Sequence, residues 1–151
     1  AEYIKAQLKK VGIEVVVRAS PDFPTWAKRV ATHDFDMTMD IVYNWGDPVI
    51  GVHRTYQSDN IRKGVIWSNT QSYSNPEVDA LLERAAVERD PEKRKALYAE
   101  FQKIVVDDCP IHFINVVPMY SCHHKNLENI NTTIWGGLVP NDEVYWSAPP
   151  K

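Results

Sequence analysis

Cysteine is scarce in this chain of 151 residues. There are two, Cys109 and Cys122, too few for a disulfide framework. If residues 111–121 run as one extended strand at about 3.3 Å per residue, the two lie roughly 40 Å apart. A bridge needs Cα atoms within about 7 Å, so only a sharp reversal near Pro118 could join them, and free thiols are expected. The six glycines form no phosphate-cradling loop, and neither a Gly-x-Ser-x-Gly elbow nor a nucleophile–histidine pattern is present. No apolar run approaches the ~20 residues of a membrane span. A basic excess is missing too: 17 Lys and Arg against 20 Asp and Glu leave a net charge of −3, which speaks against a nucleic-acid face. The chain has no initiator methionine and no signal peptide. It opens directly on a helix at Ala1 and reads as part of a longer polypeptide, so the missing signal is silent on compartment.

What is present is the material of an ordinary globular domain. Hydrophobic residues make up 44 % and charged ones 25 %, enough for one domain and one core. The most legible stretch runs from Tyr73 to Phe113. It holds two helix starts of one kind, Asn75-Pro76 and Asp90-Pro91. In each, a short polar side chain can accept from the orphan amides of the first turn, and the proline behind it has no amide to leave unpaired. Apolar residues recur at helical spacing after each start: Val78, Leu81, Leu82 and Ala85, then Leu97, Phe101, Ile104 and Val105. Asp107-Asp108-Cys109-Pro110 stops the second helix, and a β-rich run over 111–117 follows.

The rest reads as the sheet those helices cover. Ile4, Leu8 and Val11 stripe an opening helix, with Gly12 as its expected terminator. Residues 13–18, rich in β-branched side chains, predict a buried strand. Ser20 to Pro24 is another capped start, and Phe23, Trp26 and Val30 share one side of the helix that follows. His33-Asp34 is a turn, and 35–43 alternates as a second strand. Strand, helix, strand is a right-handed βαβ unit with a parallel pair. The expected fold class is therefore α/β, a βαβ-containing mixed sheet covered by helices. Val49 to Tyr56 reads as a short helix and residues 57–72 as irregular. The tail after Lys125, with Trp135, Tyr145 and Trp146, shows neither period. The division expected is an α/β lobe over 1–125 and a tail over 126–151 that packs on something else.

Candidate chemistry is sparse. In open parallel sheets ligands bind beyond the carboxyl ends of strands, which places the loop Asn44-Trp45-Gly46-Asp47-Pro48 where a site would be. An indole between two hydrogen-bonding groups is the makeup of a small-molecule pocket. The competing reading has Trp45 in the core and Asp47 capping the next helix. Trp67 and Tyr73 are weaker candidates. His112, His123, His124 and Cys122 invite a metal site, with a small metal-binding or hydrolytic domain using His123 and His124 as the alternative function. Adjacent strand residues point to opposite faces, however, and no ligand spacing supports a metal. Asp36 with Asp40, and Asp107 with Asp108, stand where acids are commonplace, so no catalytic residue, cofactor or metal is expected.

The run from Tyr73 to Asp79, Asp90 to Tyr98 with its Asp-Pro-x-x-Arg, Trp45-Gly46-Asp47-Pro48, Gly12 to Val15, and Pro110 with its strand follow one another in an order that resembles the C-terminal lobe of peptide/nickel-type solute-binding proteins of bacterial ABC importers. The resemblance implies one lobe of a type II periplasmic-binding fold, non-enzymatic and extracytoplasmic. It would capture a small solute, such as a peptide, and hand it to a membrane permease. It further implies that Asn115, Met119 and Tyr120 join Asn44, Trp45 and Asp47 in lining the cleft or hinge, and that the tail packs on a missing N-terminal lobe. Peptide-binding members often carry an aspartate shortly before the Asp-Pro; here the nearest polar candidate is Asn44.

Overall fold

The computed structural model describes residues 1–43, 45–133, 135, 138 and 140–148. Among them, helices α1 (Glu2–Lys9), α2 (Phe23–Ala31), α3 (Pro48–Tyr56), α4 (Pro76–Val87) and α5 (Pro91–Asp108) carry most of the regular structure. A 3-10 turn, Ser58–Asn60, follows α3, and strands β1 (Leu127–Glu128) and β2 (Tyr145–Trp146) pair antiparallel.

Four of the five helices start by the same device. Asp22, Asp47, Asn75 and Asp90 each accept a backbone N–H of the first turn on their side chain, with a proline just behind. Each cap is worth about 1 kcal/mol. Gly12, at φ +84°, follows α1 as expected, and its N–H reaches the Lys9 carbonyl at 3.2 Å. His33, at φ 57°, turns the chain after α2.

The core lies where α3, α4 and α5 meet. Val78, Leu81, Leu82 and Ala85 of α4 pack with Leu97, Phe101 and Val105 of α5 and with Tyr56 of α3. Tyr56 meets the Phe101 ring edge-on at 5.4 Å. One clasp ties the far end of α5 to the start of α4: Asp108 accepts from the Tyr73 hydroxyl at 2.5 Å and from the Asn75 amide at 2.9 Å.

The stretch 57–72, irregular as expected, is held by buried polar groups. Asn69 is 0 % exposed. Its amide donates to the carbonyls of Tyr56, Gln57 and Tyr73, and its oxygen accepts the Tyr73 N–H at 2.9 Å. Asp79 on α4 accepts both the N–H and the hydroxyl of Ser58. Gly64 N–H to the Ala31 carbonyl, 2.7 Å, docks this loop on α2.

The parallel βαβ sheet expected from the sequence does not form among the described residues. Segments 13–18, 35–43 and 111–117 have no ladder partners; 35–43 bends at Asp36 and Met37. Many of their apolar side chains are exposed, Val116 at 92 % foremost, while Val15, Val17, Phe35 and Ile111 are partly buried. The physical reason is that a strand holds only when its amides and carbonyls find a neighbouring chain, and here none is adjacent. The two-stranded β1–β2 sheet instead sits in the tail, where no period was expected. Both cysteines are free and exposed.

Two outcomes follow from this core. Leu82→Ala should cost about 3 kcal/mol and Asn69→Ala roughly 2 kcal/mol through unpaired buried carbonyls, both as lowered urea midpoints, with exposed Val87→Ala near neutral. Burial, and then the Asp108 carboxylate, push Tyr73 up to about 12. The neutral phenol is thus favoured by folding, so its stabilisation is complete below the ordinary value of 10.0 and fades as pH rises toward 12. A pH series of denaturant midpoints should fall through that window, and the fall should be smaller in Tyr73→Phe.

Candidate functional site

The loop between the 35–43 segment and α3 carries two different kinds of contact. Trp45, half-buried, lies 5.6 Å from the Tyr43 ring at 17° and 5.6 Å from the Trp135 ring at 26°, both stacked. An unpaired segment, the loop and the tail thereby meet in one aromatic group. Such offset stacks contribute about 1 kcal/mol beyond area burial, and they present flat apolar surface beside a loop.

Asp47, two residues on, is fully engaged inside the chain. One oxygen accepts the Val49 N–H at 2.9 Å and caps α3. Both oxygens take the fork of Arg94, at 2.9, 3.1 and 3.2 Å. The Arg94 Nε donates to the Ala85 carbonyl at 3.0 Å, and its guanidinium carbon stands 5.4 Å over the Tyr98 ring. Tyr98 in turn shares a hydrogen bond of 2.9 Å with His53 Nε2. A line of polar contacts therefore runs from the loop through α5 to buried His53. Arg94, chiefly through its hydrogen bonds, holds the Asp47 carboxyl below its usual range. Burial, with the Arg94 charge adding, lowers His53 from its ordinary value, and burial raises Tyr98. An open groove of about 520 Å³ runs alongside, lined by Pro48, Val52, Arg94, Tyr98 and Phe101 among others.

The other candidates are scattered. Asn44 lies outside the described residues. Asn115, Met119 and Tyr120 stand on the unpaired run after Pro110, with Met119 75 % and Tyr120 87 % exposed. Among the described residues no hydrogen bond or ring contact joins them to Trp45. Trp67 approaches Phe23, with ring centroids 6.0 Å apart. His123 and His124 are exposed; the His124 ring lies 5.0 Å from Trp146, and its Nδ1 accepts the Asn126 N–H. Among the described residues no three His, Cys, Asp or Glu side chains gather as a metal site would need.

Reading the sequence placed Arg94 and Tyr98 only in a family signature and Trp135 only in the tail, gave none of them a place at the loop, and passed over His53. A signal for Arg94 existed. It stands at helical spacing from Leu97, Tyr98 and Phe101, a charge on an apolar face, and such a charge calls for a partner. Trp135 had no comparable mark.

Protein XP55 of Streptomyces lividans is 33 % identical over 100 residues, 66 % of this chain and 17 % of that protein. The probable D,D-dipeptide-binding periplasmic protein DdpA of Escherichia coli is 33 % identical over 108 residues, 69 % of this chain and 20 % of that protein. The chain is a distant relative of these proteins. It spans about a fifth of their length. No family model matches the chain, and no solved structure does. Among the described residues no helix is long and apolar enough to cross a membrane.

The Asp47–Arg94 pair has a measurable consequence. A carboxyl whose folded-state value is depressed adds stability that is present above its ordinary 3.8 and lost as pH falls through the folded value. Carbon-detected NMR should show Asp47 titrating below 3.8, and Arg94→Ala should return it toward that value. No change in the variant would mean that the pair does not persist in solution.

Proposed function

We propose that this chain captures a small solute, a short peptide or a compound of that size, for uptake by an ABC importer, and that it grips the solute without transforming it. In this reading it forms the C-terminal part of a two-lobe, type II periplasmic-binding protein working outside the cytoplasm. Its partners are an N-terminal lobe and a membrane permease, with no cofactor and no nucleic acid. The observation that carries it is the similarity, over 69 % of the chain, to a protein named for binding D,D-dipeptides in the periplasm. Two features support it. The Tyr43–Trp45–Trp135 stack offers flat apolar surface at a loop, the usual lining of small-ligand sites. The uncovered apolar residues of 13–18, 35–43 and 111–120 form the kind of surface that another body normally covers, as strands of a lobe would be covered on pairing with the remainder of the protein. Asn44, Trp45 and Asp47 then make one side of the cleft, and Asn115, Met119 and Tyr120 contribute the part nearest the hinge.

Half a cleft keeps half of its contacts, and each tenfold in affinity is about 1.4 kcal/mol. Calorimetry with D-alanyl-D-alanine should therefore give weak or undetectable heat with this chain alone. A chimera in which the chain replaces the matching stretch of the E. coli relative should bind tightly, and Trp45→Ala should weaken it at least tenfold. Tight binding by the chain alone would remove the two-lobe reading. Cleavage of the dipeptide on incubation, seen by chromatography, would remove the non-enzymatic one.

A further inference from the structure

We infer that Arg94 is the positioning residue of the Trp45 loop: it fixes where the indole stands by gripping Asp47 from α5, and it does not itself touch the solute. Each nitrogen of Arg94 has a partner. Nε goes to the Ala85 carbonyl, and both terminal nitrogens go to Asp47, one of them also lying 3.5 Å from the Tyr98 hydroxyl. A planar guanidinium held at its root, along one face and at its fork has little freedom left. Its root is the carbonyl at the end of α4 and its face lies over a ring of α5, so the fork takes its place from the helical core. Asp47 closes the other end. The α3 cap uses one of its oxygens, which fixes the carboxylate to the helix start, while Arg94 fixes it to α5. Only Gly46 separates Asp47 from Trp45. On the far side of Trp45 lie ring stacks to Tyr43 and Trp135, which come from unpaired stretches of chain. Of the two supports of the indole, the one through Arg94 is thus the one that leads to rigid structure.

Arg94 bears on solute capture only if the Trp45 loop is the site proposed above, so its positioning role is read first without solute. The measurement is near-ultraviolet circular dichroism of the intact chain, with far-ultraviolet spectra for helix content. Arg94→Ala should remove at least half of the part of the tryptophan signal that Trp45→Phe abolishes, with helix content kept. Arg94→Lys, which keeps the charge and loses the fork, should restore part of that signal. The same Arg94→Ala change in a Trp45→Phe background should leave the spectrum nearly unaltered, because the indole it positions is gone. Arg18→Ala, which breaks the exposed Arg18–Asp34 pair, should change nothing. A wild-type spectrum in Arg94→Ala overturns the inference, as does an equal loss in the Trp45→Phe background, which would mean general loosening. Where Arg94→Ala does not fold, Arg94→Lys and Asp47→Asn are judged by the same two comparisons. If the chimera binds no dipeptide while Arg94→Ala still loses the Trp45-dependent signal, the solute reading falls and the positioning role holds.

Discussion

One face of α4 lies against α5, and α3, the 57–72 stretch and the Asp47 loop are built onto that contact. Val78, Leu82 and Ala85 are 0 % exposed, at the spacing that turns them to one side of a helix. α5 meets them with Leu97, Phe101 and Val105. Each fully buried aliphatic side chain contributes roughly 1.5–3 kcal/mol, which neither helix could supply alone. The contact also supplies two anchor points beyond itself. At one end, Asp108 clasps Tyr73 and Asn75; near the other, Ala85 offers its carbonyl to Arg94. The first closes the helical pair, and the second extends it toward the loop where Trp45 stands.

The same residues explain why some structure was legible beforehand. A helix is a local object: its cap, its proline and its apolar period all fall within a few turns, so Asn75-Pro76 and Asp90-Pro91 announce themselves. Asp47 was legible in both of its readings, and as a cap it behaves as the plainer one has it. What Asp47 does beyond capping depends on Arg94, far along the sequence, and nothing near either residue names the other. Asn69 is a similar case. Its amide satisfies carbonyls on α3 and beside α4, contacts that leave no period in a stretch that otherwise reads as polar and irregular.

Strands behave in the opposite way. Alternation and β-branching in 13–18, 35–43 and 111–117 state a preference, but a ladder is a relation between two chains, and preference alone does not supply the second. The missing ladders and the many exposed apolar side chains of these segments are what such a preference looks like when no strand partner is adjacent. The tail makes the converse point. Leu127–Glu128 and Tyr145–Trp146 have no strand pattern, yet they pair, helped by Asn126 and Asn129 amides that reach the Ala148 and Glu143 carbonyls. Cross-strand side-chain bonds accompany that register where hydrophobic patterning gave no sign of it.

The candidate site inherits this mixture of rigid and unsupported parts. Its aromatic group draws Tyr43 from an unpaired segment, Trp45 from a loop and Trp135 from the tail, none with a backbone ladder to hold it. Ring stacking at about 1 kcal/mol per pair is modest against the entropy of ordering those stretches, about 1–2 kcal/mol per residue for the backbone. An aromatic platform built this way needs an external reference to keep a fixed place. The Asp47–Arg94 fork supplies one on the α5 side. Asn115, Met119 and Tyr120 stand exposed on the run after Pro110, and among the described residues no hydrogen bond or ring contact ties them to the platform. A platform tied to the helical core along one edge and held elsewhere by ring stacking alone depends on that one tie for its place.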